Sequence, residues 1–124
     1  MRYLTPEQIL FIHYRVMAKG GVHGVRDVAL LESASSRPSG TFDGADLYDD
    51  IFLKAAALMQ SIIKNHPFID GNKRTAIAAS SVFLAINGRR VTCSNKGLEK
   101  FTMKAASGRV DIAELSVWFR KNSE

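Results

Sequence analysis

The only cysteine in this 124-residue chain is Cys93, which excludes an internal disulfide, and its three histidines show no cysteine spacing of a zinc site. Nothing therefore requires an oxidising compartment. No apolar run approaches the length of a membrane span. The opening Met1-Arg2-Tyr3-Leu4-Thr5-Pro6-Glu7 leads into no apolar core of signal-peptide length. Cytoplasmic residence without membrane association is the expectation. Internal repeats and low-complexity tracts are absent, and strand alternation has little support beyond Arg90-Val91-Thr92.

What is present is enough apolar material for one core. At 46% apolar, a single domain over residues 1–124 is expected. The net charge of +5 is unevenly spread: Arg89, Arg90, Lys96, Lys100 and Lys104 follow one another, while Asp43, Asp46, Asp49 and Asp50 form an acidic cluster. A basic balance suits nucleic acid, a nucleotide or an acidic protein partner and does not by itself choose among them. The basic segment lacks aromatic interleaving apart from Phe101 and shows no helix-turn-helix pattern, so no direct nucleic-acid contact is expected.

Helical punctuation runs the length of the chain. Thr5-Pro6-Glu7-Gln8 has the form of a capped helix entrance, and a first helix to about Ala18 would end at Gly20-Gly21. Asp27 can cap a second helix through Ala34, and Ser39 to Gly44 reads as loop. Helical spacing of Leu47, Ile51, Phe52, Ala55, Leu58, Met59, Ile62 and Ile63 predicts a long third helix over 46–65. A fourth, from about Asn72 to Ile86, is small or apolar on nearly every side, as in the buried axis of a bundle. Ser94 can cap a fifth helix weakened by Gly97. Asp111 with Glu114 opens a sixth, with Val110 stapled against Leu115. The fold class is therefore all-α: a compact single-domain bundle of about six helices, with the most chemically loaded segment between its two central helices.

That segment is His66-Pro67-Phe68-Ile69-Asp70-Gly71-Asn72-Lys73-Arg74-Thr75. Pro67 disfavours the α region for His66, which places the histidine at a helix mouth. His66 can serve as general base toward an attacking hydroxyl or merely end the helix. Asp70 can ligate Mg²⁺ that bridges nucleotide phosphates or cap the following helix. Gly71 permits a turn whose amides converge on an anion, and Asn72 can cap the helix or donate to a phosphate oxygen. Lys73 and Arg74 can neutralise charge on a transferring phosphoryl group; two cations at a helix start oppose its dipole, so a purely structural role suits them less. Phe68 reads as a core plug that fixes the loop. His13 and His23 lack comparable surroundings and read as structural or surface residues.

On these residues the chain resembles the Fic/Doc superfamily, and more closely its death-on-curing (Doc) branch. The superfamily pattern His-Pro-Phe-x-Asp/Glu-Gly-Asn-Gly-Arg-x-x-Arg is matched at His66, Pro67, Phe68, Asp70, Gly71, Asn72 and Arg74. Lys73 replaces the second glycine and Ile77 the last arginine, two residues that help seat the nucleotide in adenylylating members; the death-on-curing branch instead carries Asn-Lys-Arg-Thr, as in residues 72–75. Weaker resemblance extends over Gly20 to Asp27, Leu30 to Ala34, Arg37-Pro38, Phe83-Leu84 and Asn87-Gly88.

The resemblance implies a toxin of a type II toxin–antitoxin pair. It would act as a kinase that uses ATP and Mg²⁺ to phosphorylate a Ser/Thr hydroxyl of a translation factor, elongation factor Tu in the known case, and so stop translation. It further implies catalytic roles for His66, Lys73 and Arg74, phosphate binding by Gly71, Asn72, Lys73 and Arg74, and the metal at Asp70. No inhibitory Ser/Thr-x-x-x-Glu-Gly/Asn motif is present, which fits a cognate antitoxin acting in trans. By analogy, a substrate segment would dock at the loop from Ser39 to Gly44. Two alternatives stay open: a Fic-type adenylyltransferase using the same His66, and a non-catalytic antitoxin-binding corepressor or nucleic-acid module.

Overall fold

Five of the six helices begin at a side chain that accepts an otherwise unpaired backbone N–H. The computed structural model describes all 124 residues. Thr5 closes a reciprocal capping box with Gln8 at the start of α1 (Pro6–Val16), and Asp27 caps α2 (Val28–Ser36). Asp50 caps α3 (Ile51–Asn65), Ser94 caps α5 (Asn95–Ala106) and Asp111 caps α6 (Ile112–Lys121). The exception is α4 (Asn72–Ile86), which starts from Gly71 with no side-chain cap. All six expected helices are present, and no helix is long and apolar enough to cross a membrane.

The axis of the bundle is α3 rather than α4. Most of the 15 residues of α3 are buried, whereas α4 buries one face through Asn72, Thr75, Ala76, Ala79, Ser80, Phe83 and Leu84 and leaves Val82 exposed. Small residues on both partners explain the close seam between them. Ala55 and Ala56 of α3 share the core with Ala76 and Ala79 of α4, and the Ser80 hydroxyl donates across to the carbonyl of Ala55 at 3.3 Å. An apolar composition on every side of α4 thus reflects small side chains at a backbone contact, not burial all round.

The third helix also starts later than its apolar spacing predicts. Leu47 is exposed, and residues 41–46 form a two-stranded antiparallel hairpin, β1 (Thr41–Phe42) and β2 (Ala45–Asp46), with Thr41 opposite Asp46. Both residues of its Asp43-Gly44 turn have positive φ, as a type I′ hairpin turn requires. A single turn of 3₁₀ helix (Arg37–Ser39) leads into this hairpin. Two cations tie that region to α3. The buried Lys54 ammonium donates to the Pro38 carbonyl at 3.0 Å and pairs with Asp46 at 3.2 Å. Arg37 donates to Ser61 Oγ and Gln60 Oε1 at 3.0 Å each.

At the other end, the extended Arg90-Val91-Thr92 segment pairs with the last residues of the chain. Arg90 and Glu124 exchange backbone hydrogen bonds at 2.9 Å, and Thr92 N–H donates to Asn122 at 2.7 Å. Gly97, which weakens the fifth helix on propensity alone, leaves room for the thiol beside it: a Cβ would lie 2.4 Å from Cys93 Sγ and would displace it.

Candidate active site

Residues 66–71 cross from the C-terminus of α3 to the N-terminus of α4, and the crossing is held from three directions. From inside, Phe68 is fully buried and stacks on His13 of α1 with ring centroids 3.9 Å apart. Along one edge the loop pairs with residues 24–27: Arg26 and Asp27 amides donate to the Pro67 carbonyl at 2.7 and 3.1 Å, and Ile69 N–H donates to Gly24 at 3.1 Å. From within the loop, the buried Asn72 amide closes a ring on Phe68, accepting from its N–H at 3.0 Å and donating to its carbonyl at 2.9 Å. A motif that would otherwise be a mobile connection is thereby rigid.

His66 is the C-cap of α3 and adopts φ 50°, ψ 61°, the left-handed region. Such a conformation in a non-glycine residue stores about 1–3 kcal/mol and persists only where neighbours impose it. The imidazole is exposed and takes no hydrogen bond from the rest of the chain, so it does not satisfy the carbonyls of its last helical turn. Arg26 does that instead, through its guanidinium.

Asp70 is exposed, and its two carboxylate oxygens each accept one amide: Oδ2 that of Val22 at 3.1 Å, Oδ1 that of Gly71 at 2.8 Å. Those bonds, the Val22 one foremost, together with nearby Arg74, hold its carboxyl below the usual carboxylate range. The group is an anion at neutral pH, and each oxygen has a lone pair to spare.

Gly71 has φ 75°, and a Cβ there would lie 2.3 Å from the sulfur of Met17, so a side chain would be strained and would have to push Met17 aside. Beyond it the Asn72, Lys73 and Arg74 amides have no acceptor in the chain, the first helical bond being Thr75 N–H to Gly71 at 2.9 Å. Lys73 and Arg74 are both exposed on this turn. Arg74 contacts Met17 Sδ at 3.2 Å, and neither cation forms an ion pair with a carboxylate. Unpaired donors, the positive end of a helix dipole and two free cations give this turn the chemistry that suits an anion.

A cleft of about 310 Å³ opens beside Lys73 and Arg74, with Ile77, Leu98 and Met103 among its walls between α4 and α5. A larger one of about 520 Å³ lies between α1 and the far end of α4, lined by Tyr3, Phe11, Val82 and Ile86 among others. Its walls are mostly apolar, with Arg2, Glu7 and Gln8 at the polar side and no histidine or aspartate. No group of three or more His, Cys, Asp or Glu is arranged so that it could hold a metal ion by itself.

All the residues singled out in the sequence therefore lie on this crossing and the first turn of α4, but Asn72 has its side chain committed to Phe68. Sequence reasoning missed the partners that hold the motif. His13 is buried and stands 2.8 Å from the Asp70 carbonyl through Nε2, which must carry the hydrogen of that bond. Burial pushes its imidazole below the ordinary value against the opposing effect of that bond, so it is neutral at pH 7. Its place on the inner face of an amphipathic helix was the available signal. In the basic segment, Arg89 lies over the Phe52 ring at 5.1 Å and Arg90 pairs with Glu124.

The chain is similar in sequence to known proteins. A protein called Toxin Doc from Mycolicibacterium smegmatis is 53% identical over 86 residues, which cover 69% of this chain and 65% of that protein, just under two thirds of its length. Protein kinase doc of Escherichia phage P1 is 28% identical over 122 residues, covering 98% of this chain and 95% of that one. The model of the Fic/DOC family matches residues 3–84, a span that takes in the motif, α1 and residues 24–27 that clamp it and nearly all of α4, and the chain belongs to that family.

Proposed function

We propose that this chain is the toxin of a toxin–antitoxin pair and a protein kinase, moving the γ-phosphoryl group of ATP to a Ser/Thr hydroxyl of a translation factor, elongation factor Tu by resemblance. The observation that carries the reading is the uncapped start of α4: three free amides with Lys73 and Arg74, directly after an ionised carboxylate and close in the chain to an exposed histidine. The names of the relatives, one a toxin and one a protein kinase, support it.

In this mechanism His66 accepts the proton of the attacking hydroxyl, whose oxygen bonds to the γ-phosphorus as the bond to the ADP oxygen breaks. The amides of residues 72–74 and the two cations hold the phosphate chain and balance its charge. Asn72 acts from beneath by keeping the loop closed on Phe68. Asp70 fits a magnesium ion of the kind that keeps its waters and takes one protein carboxylate besides phosphate oxygens, since it is ionised, exposed and unaccompanied by other acidic ligands. Such an ion supplies neutralisation of phosphate charge. An antitoxin in trans would restrain the activity, and the β1–β2 hairpin, with Phe42 exposed at 75%, offers a surface for the substrate segment.

Induced expression in a bacterial host tests the reading. Wild type is expected to arrest growth and His66→Ala to be harmless at equal soluble level; equal arrest by both would mean that toxicity is a binding effect.

A further inference from the structure

Arg26 donates to three consecutive carbonyls: Nη2 to Asn65 at 2.6 Å, Nε to His66 at 2.7 Å and its own backbone N–H to Pro67 at 2.7 Å. The first two belong to the peptide planes on either side of the His66 Cα. Fixing both planes fixes φ and ψ of the residue between them.

Pro67 disfavours the right-handed helical region at His66, which leaves extended and left-handed as the main choices. They differ in what they offer a guanidinium. Successive carbonyls point to opposite sides in extended chain and to the same side in a helical conformation of either hand, so a planar fork can take both only in the second case. Arg26 is itself immobilised: Val25 bridges Phe68, and Asp27 both caps α2 and donates to Pro67. Although exposed, its guanidinium pairs with no carboxylate.

We infer that Arg26 is a positioning residue for the general base, selecting the left-handed conformation of His66 and with it the direction of the imidazole. The inference rests on the proposed role of His66, and its test separates the two. Arg26→Ala and Arg26→Lys are made in the full chain. The conformation of His66 is read by NMR from the cross-peak between its own amide and Hα protons, which is strong only at positive φ. Turnover is read as kcat and KM for ATP with elongation factor Tu as acceptor.

The expected result for Arg26→Ala is loss of the strong cross-peak and a fall in kcat of about 10- to 100-fold. KM for ATP should stay within about threefold, because the amides of α4 are held separately by Asn72 and Asp70. Arg26→Lys, which can satisfy one carbonyl but not the pair, should fall between. An unchanged cross-peak in Arg26→Ala, or in Arg26→Lys if the alanine variant does not fold, overturns the inference. So does a parallel loss of kcat, ATP affinity and thermal midpoint with the cross-peak intact. Should wild type transfer no phosphoryl group, the kinase reading fails while the cross-peak still decides what Arg26 does.

Discussion

Gly71 combines a φ of 75° with a Met17 sulfur only 2.3 Å from where a Cβ would stand, so one methyl group is enough to disturb the turn into α4. Gly71→Ala should lower stability by about 1–3 kcal/mol, measured by urea denaturation, with a matching loss of activity. Asn72→Ala should cost a similar amount, about 1–3 kcal/mol, because it leaves the buried N–H of Phe68 without an acceptor. His13 gives the fold a pH dependence. Its folded pKa lies below the ordinary 6.5, so the unfolded chain takes up a proton first. Its contribution is therefore complete above 6.5 and declines as pH falls from 6.5 through the lowered value. Asp70, also lowered, loses its contribution only as pH falls through its folded value, below the carboxylate range. His13→Gln should flatten the loss of stability just below neutrality in denaturation curves at stepped pH; an unchanged slope would assign that sensitivity elsewhere. The candidate site was legible in the sequence because its donors and acceptors are contiguous. What Asn72 and His13 grip was not, since a backbone carbonyl as partner leaves no mark in residue identity.

At the scale of elements, the caps explain why helix starts could be read so closely: Thr5, Asp27, Ser94 and Asp111 each bind an amide of the first turn at its expected place. The error at the third helix has a physical origin. Leu47 continues the helical period, but the Asp43-Gly44 turn upstream is a hairpin signal, and Asp50 supplies the cap that starts α3 five residues later than expected. The hairpin is anchored by Lys54, whose burial on an apolar face could not be read from spacing. Removing its acidic partner by Asp46→Ala leaves a buried ammonium with only the Pro38 carbonyl and the Tyr3 ring beside it. A loss of about 1–3 kcal/mol is expected by urea denaturation. A neutral effect would mean that water reaches the Lys54 ammonium.

For the whole molecule, one hydrophobic cluster runs from Leu4 to Phe119 and includes Phe68 of the motif loop, so the site and the C-terminal helix share a core. Unfolding followed by Trp118 fluorescence and by far-ultraviolet circular dichroism should give coincident single transitions; separated transitions would divide the chain into independent parts. That shared core is why an all-α fold was legible from periodicity, while the identity of its axis was not: alanine reads as apolar whether it is buried or merely close-packed. The central claim concerns chemistry, and intact mass measurement of elongation factor Tu tests it most directly, after incubation with the purified protein, ATP and Mg²⁺ beside a His66→Ala control. The account predicts a phosphoryl increment on the factor that is absent from the control; an adenylyl increment, or none, would contradict it.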